Sequence, residues 1–337
     1  MNNKLLSICI PTFNRAGLLD YNLKILCNIT VRYPEIDIVI SDNCSTDNTN
    51  EIVEFYKKSY NNVFNIIQTE NIGPDRNFES VLKFSNSKYK WLLGDSCLIN
   101  ENKIRSLLDD LIEKSPDLMV VDRGKGYLPF NSKTYIDASL LLEEIGWHIT
   151  NISSLIFSND LISNTNFERY YNTNFIQFGI IFEYLSLLEN VNVIFKNDSI
   201  LCSSSLNLID KYKSKNTWFP NSAWPIFVKS WTNVVLSLPS NYSLISKTKC
   251  IISHNKFNNL FSVINILLMK NRGSYNYKIY NENKAYIPFA IGNKKVMYFI
   301  LSVYPNWLNP YKYKEQIKKI IRVLKKINVM RFKKFNC

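Results

Sequence analysis

Leu5-Leu6-Ser7-Ile8-Cys9-Ile10-Pro11-Thr12-Phe13-Asn14-Arg15 decides the fold. It is an apolar run of strand length that stops at a proline and opens into polar side chains. A second run, Ile36-Asp37-Ile38-Val39-Ile40, comes about one strand-helix unit later and opens into Ser41-Asp42-Asn43-Cys44-Ser45-Thr46-Asp47. A third, Lys90-Trp91-Leu92-Leu93-Gly94, opens into Asp95-Ser96. Strands of this kind, separated by helical stretches, predict an α/β fold with a parallel sheet and right-handed crossovers. All three polar ends then meet at the carboxyl edge of that sheet, where open α/β folds bind ligands.

The intervening segments carry the right periods. Leu18, Leu19, Leu23 and Leu26 predict a helix over 15–27. The N-cap-rich Ser45–Asn50 precedes a helix over 50–58. Val63–Gln68 reads as a strand, Asn71-Ile72-Gly73-Pro74 as a turn and Asp75–Phe84 as a helix. Beyond residue 116 the expected elements are strands at 117–122, 149–157 and 191–196, and a helix at 175–188. Long helical patterns at 223–238 and 258–270 mark a helical C-terminal region. The organisation expected is 1–115 and 116–205 as two halves of one α/β domain, 206–309 as a helical region and 310–337 as a basic tail.

Charge separates the tail from the body. The 337 residues carry a net +13, and Pro310–Cys337 holds ten basic residues against the single acid Glu315. That segment therefore accounts for +9, leaving +4 for residues 1–309. A nearly neutral body argues against a nucleic-acid-binding surface. Seven scattered cysteines without a CxxC pair point away from zinc and disulfides and towards a reducing cytoplasm. The chain enters a strand almost at once, leaving no room for a signal peptide, and no apolar run reaches the roughly 18 residues of a spanning helix.

Several of the polar residues suit a phosphorylated nucleotide. Pro11, Thr12, Asn14 and Arg15 leave the first strand facing the expected site, although a strand-ending turn has the same composition. Asp42 can accept from a base or a ribose, or cap the next helix. In Asn71-Ile72-Gly73-Pro74-Asp75-Arg76, Gly73 permits close backbone approach and Arg76 can meet phosphate, or sit solvated on a surface turn. Asp95, after a strongly apolar strand, suits a divalent-metal site beside a diphosphate.

In this order and spacing these residues resemble the family 2 glycosyltransferases of the GT-A fold, especially bacterial enzymes of capsule and O-antigen synthesis. The resemblance is strong over residues 4–110 and thins out by about 205. It implies a nucleotide-diphospho-sugar transferase with a Rossmann-like, mixed but mostly parallel sheet. It also implies inverting transfer from a nucleotide-diphosphate sugar (UDP-sugar first) to a saccharide acceptor, helped by Mn²⁺ or Mg²⁺. On this resemblance Pro11, Thr12, Asn14, Arg15 and Asp42 hold the nucleotide, Asn71, Gly73 and Arg76 border it, and Asp95 serves both donor and metal. The chain departs from the family where Ser96 and Cys97 replace the acidic residues expected after Asp95. Cys97 is a poor ligand for a hard cation, so basic side chains such as Arg76 would take more of the leaving-group charge. The family's catalytic base falls near Asn174–Phe178, where Gln177 stands, and an amide takes no proton. His148 is the candidate base in its place.

The tail adds a partner. Ile317, Ile320, Ile321, Leu324 and Ile327 recur at helical spacing among lysines and arginines, a pattern that suits an anionic membrane surface or a helix docked on the body. Taken together, the expectation is a peripheral enzyme on the inner face of the cell membrane with a lipid-linked acceptor. The departures at Ser96, Cys97 and Gln177 keep a non-catalytic nucleotide-sugar binder open beside it.

Overall fold

The computed structural model describes residues 4–122, 131–202, 223–292 and 294–308. The chain divides into two compact units, Met1–Thr217 with Asn233–Ile251, and Trp218–Thr232 with Ile252–Cys337. The basic tail at 310–337 lies outside the described residues.

The first unit is built on a sheet. Strands β1 (Leu6–Thr12), β2 (Ile36–Asp42), β3 (Val63–Ile67) and β4 (Tyr89–Leu92) lie in the order β3-β2-β1-β4, all parallel. Between them run α1 (Ala16–Arg32), α2 (Thr49–Ser59) and α3 (Gly73–Phe84). β1 and β2 are buried along their whole length, as strands covered on both faces must be. Their Ile8, Ile10, Ile38 and Ile40 pack with Leu19, Leu23 and Leu26 of α1.

Past β4 the chain forms a short strand β5 (Leu98–Ile99), α4 (Ile104–Lys114), β6 (Leu118–Val121), β7 (Lys133–Tyr135) and α5 (Ala138–Ile145). It continues through β8 (Leu155–Ser158), α6 (Asn159–Ser163), α7 (Ile176–Leu185), β9 (Val193–Lys196) and β10 (Leu201–Cys202). The sheet extends as β4-β8-β6-β9-β7, with β8 antiparallel to both its neighbours. A separate ribbon pairs β10 with β5 just after the Asp95 loop.

The strand expected over 149–157 is shorter, because residues 148–154 form two 3₁₀ turns before β8 begins at Leu155. Those turns brace β4: Trp91 Nε1 donates to Ser153 O (2.8 Å), and Gly94 N donates to Ser153 Oγ (3.0 Å).

The described part of the second unit is helical, with a π-helical turn at Pro225–Ser230 and α-helices at Val263–Asn271, Tyr277–Asn283, Ile287–Ile291 and Lys295–Val303. Its core is aromatic. Trp224 stacks on Tyr275 at 4.7 Å between centroids and meets Phe261 and Tyr298. Tyr275 donates to Tyr298 O (2.6 Å), which satisfies a buried hydroxyl. Among the described residues, no helix is long and apolar enough to cross a membrane.

Candidate active site

The register of the sheet locates the site. Cys9 pairs with Leu92, so Asp95, three residues on, comes level with Thr12. Thr12 itself pairs with Asp42. Three strand ends therefore deliver Thr12, Asp42 and Asp95 to one edge.

Asp95 is the centre of this cluster. Its carboxylate takes Thr12 Oγ1 at 3.2 Å and Arg15 Nη1 at 2.9 Å, while Asn22 Nδ2 of α1 donates to its backbone oxygen at 3.2 Å. The residue is 6% exposed, yet its partner Arg15 keeps 38% of its side chain in solvent. Burial pushes the Asp95 carboxyl above the usual range, and the Arg15 guanidinium, Thr12 hydroxyl and Ser96 N–H pull the other way. The edge thus holds a buried carboxylate with a cation anchored at its mouth.

The loops beyond the strand ends are tied to each other. Asp42 Oδ1 accepts from Ser45 N (3.0 Å), and Ser45 Oγ accepts from Asn14 N (2.8 Å). Asn14 adopts φ 52°, a left-handed conformation that asparagine tolerates, and its Oδ1 accepts from Thr46 N (2.7 Å). Asp47 Oδ2 accepts from Ala16 N (3.0 Å) at the start of α1. The side-chain oxygen of Asn14 thus joins the two loops. Asp42 likewise braces its own loop through Oδ1.

The third wall is the Asn71–Arg76 turn. Asn43 Nδ2 donates to Asn71 Oδ1 (3.0 Å), and Asn43 Oδ1 accepts from Ile72 N (2.9 Å). Gly73 has φ 81°, and a Cβ there would meet nothing within 4 Å, so the demand for glycine is conformational and not steric. Arg76 is exposed, its guanidinium carbon 4.6 Å from the centroid of the Tyr171 ring, and Tyr171 donates to Glu79. A cation held over an aromatic face is pre-positioned without being neutralised.

The far side of the site differs. His148 is 1% exposed, with Nε2 3.1 Å from Val121 O and its ring edge-on to Trp147 and Phe195. The candidate base His148 thus sits in the core, its ring held between Val121 O, Trp147 and Phe195. Gln177, 2% exposed on α7, donates through Nε2 to Thr150 O (3.0 Å), and its Oε1 is buried without a hydrogen-bond partner. The fold uses the donor half of this amide. Nearby, buried Asp75 of α3 accepts from Asn174 N (3.1 Å) and so ties the entrance of α7 to the Arg76 turn.

A divalent metal fits poorly. Among the described residues, no three His, Cys, Asp or Glu side chains are grouped to hold an ion. Asp95 already binds Arg15 and Thr12, and Ser96 and Cys97 supply no carboxylate. Thiols suit soft metals, whereas Mn²⁺ and Mg²⁺ seek oxygen.

Asn22, Ser153, Tyr171 and Asp75 were missed from sequence. Only Asp75 had a signal, its place in the Asn71–Arg76 turn. A cavity of about 300 Å³ lined by Lys4, Thr30, Pro34, Asp37 and Asn62 lies at the amino ends of the strands, away from this cluster.

Together, the parallel β1–β4 sheet with its antiparallel β8 insertion and the polar edge at Thr12, Asp42 and Asp95 define a nucleotide-binding α/β domain of GT-A type. The chain belongs to glycosyl transferase family 2, whose model matches residues 7–179. It is 30% identical over 188 residues to the abequosyltransferase RfbV of Salmonella typhimurium, covering 55% of this chain and 52% of that one. The chain thus spans about half the length of that curated relative. The crystal structure of Staphylococcus aureus TarS 1–349 in complex with UDP-GlcNAc aligns at TM-score 0.59 and 13% identity, over 93% of this chain and 92% of that chain. The mannosyltransferase PcManGT of Pyrobaculum calidifontis, solved with GDP-Man and Mn²⁺, aligns at TM-score 0.53 and 11% identity, over 90% and 87%. Solved relatives of this fold therefore include one holding a divalent metal.

Proposed function

We propose that this chain transfers a sugar from a nucleotide-diphosphate donor, a UDP-sugar first, to a saccharide acceptor in surface-polysaccharide synthesis. The observation that carries the reading is the Thr12–Arg15–Asp95 cluster at the carboxyl edge of β1 and β4. Among the described residues, Arg15 and Arg76 are basic groups at that edge, and both face solvent at least in part. As the anomeric bond breaks, charge grows on the departing diphosphate, and oriented guanidinium groups stabilise it. Asp95 holds Arg15 in place for that role. Thr12, Asn14 and Asp42 shape the floor for base and ribose, and Asn71 and Gly73 bring backbone close to it. The acceptor oxygen bonds to the anomeric carbon in line from the opposite face as the bond to the diphosphate breaks, the hydroxyl proton passes to solvent or to the departing diphosphate, and the configuration inverts.

The acceptor is proposed to be lipid-linked, and the enzyme to work at the inner face of the membrane. Support comes from the +9 carried by residues 310–337, a charge excess suited to anionic lipid.

Titration calorimetry and donor hydrolysis test the two halves of the reading. UDP, GDP, CDP and dTDP are titrated in EDTA and again in Mn²⁺. One diphosphate binding in EDTA, with at most a modest gain from Mn²⁺, is expected. Strict Mn²⁺ dependence would overturn the role given to Arg15. A second reading, a nucleotide-sugar binder without turnover, is favoured by the amide of Gln177 and its bond to Thr150 O. It predicts diphosphate binding with no release of diphosphate from any UDP-sugar.

A further inference from the structure

The second unit carries an apolar face that its own described residues leave open. On the helix Lys295–Val303, Tyr298 and Ser302 point inward and are buried. Val296, Phe299, Ile300 and Val303 fall on the other side, spaced i, i+3, i+4 and i+7, within a stripe of about 100°. Val296 is 73% exposed, Ile300 and Val303 53% each. Trp307, 64% exposed, and Leu308, 44% exposed, follow in the short 3₁₀ turn after the helix. Lys294 and Lys295 stand exposed at its start. Single exposed apolar residues are ordinary, but a run of this kind on one helix face marks an interaction surface.

The charge of the adjoining segment selects the partner. The 28 residues from Pro310 to Cys337 carry +9. A second copy of the chain would bring the same positive charge to the contact and be repelled. An anionic bilayer offers what both segments lack: hydrocarbon for the stripe and negative charge for the lysines, in one plane. Trp307 and Tyr304 suit the boundary between headgroups and acyl chains, and Lys294 and Lys295 can lay their stems along it.

We propose that the Val296–Leu308 face inserts shallowly into an anionic lipid surface, as the apolar half of a two-part anchor whose basic half is residues 310–337. This rests on the membrane reading of the basic segment proposed above. Two weak signals are what a reversible peripheral anchor needs, since neither alone holds firmly.

The test is flotation of the full-length protein with phosphatidylcholine vesicles, and with vesicles of equal parts phosphatidylcholine and phosphatidylglycerol. Wild type is expected to float with the anionic vesicles only. The triple variant Val296→Ser, Ile300→Ser, Val303→Ser should partition about tenfold less, and its remaining binding should vanish in high salt. A variant with Lys318, Lys319, Lys325 and Lys326 changed to Gln should also bind less, and its remainder should resist salt. Wild-type binding by the triple variant would overturn the inserted face while leaving the basic segment's role intact. Absence of wild-type binding would overturn both. A fall in melting temperature of several degrees in the triple variant, or a change in its mass in solution, would assign the face to a contact within the chain or between copies.

Discussion

The two sides of the first unit use polar residues in opposite ways. At the edge of β1, β2 and β4, polar side chains are linked to one another, and the cations at the mouth keep contact with solvent. Arg15 reaches Asp95 and remains 38% exposed, and Arg76 lies exposed on Tyr171. Around α7, polar side chains turn inward and bond to main chain: His148 to Val121 O, Gln177 to Thr150 O. The lesson is that a residue's chemical type proposes a role, and its neighbours grant or withdraw it.

His148→Ala makes the largest demand on that contrast. It removes a buried ring and leaves Val121 O without its partner, so a loss of about 3 kcal/mol in unfolding free energy is expected by urea titration. Diphosphate affinity of the folded fraction should stay at the wild-type value. A variant with full stability and lost turnover would break the contrast by returning His148 to catalysis. Arg15→Ala should differ by weakening binding. Loss of a charge-assisted contact to phosphate corresponds to about 2 kcal/mol, roughly thirtyfold in diphosphate Kd by calorimetry, and the melting temperature should also fall because buried Asp95 loses its partner.

Gly179→Ala sharpens the contrast from the packing side. A Cβ at this α7 position would run into the ring of Tyr170, closer than any real contact allows. A destabilisation of about 1–3 kcal/mol is expected, measured by the same urea titration.

The smallest effect is in pH. Lys90, on the same strand that delivers Asp95, is 1% exposed and donates to Ser87 O (3.2 Å) and Asn159 Oδ1. Burial lowers it from 10.5 to about 8. Between those values the unfolded chain binds more protons than the folded one, so this residue makes stability rise with pH across that window. Melting curves should show that rise in wild type and a flatter profile in Lys90→Met.

Much of the fold is legible in the sequence. The apolar runs ending in Thr12, Asp42 and Asp95 place three polar termini at one sheet edge, because parallel strands joined by helices leave no other arrangement. The register then brings Thr12 and Asp95 together. The partners that finish the site are not legible. Asn22 comes from the inner face of α1, Ser153 from a 3₁₀ turn, and Tyr171 from a loop 95 positions after Arg76. Such contacts depend on tertiary approach and leave no local pattern. Nor does a strand's composition name its neighbour, so the antiparallel insertion of β8 between β4 and β6 has no signature. His148 and Gln177 stand out by type and position, but their burial is set by tertiary packing that no local pattern shows.

The most direct measurement is calorimetric titration of UDP into wild type and Arg15→Ala, each in EDTA and in Mn²⁺. We expect wild type to bind in EDTA, Mn²⁺ to change its Kd by no more than a few-fold, and Arg15→Ala to bind roughly thirtyfold more weakly in both buffers. Binding by wild type in Mn²⁺ only, with Arg15→Ala unaffected, would contradict the assignment of the diphosphate to the Arg15–Asp95 edge.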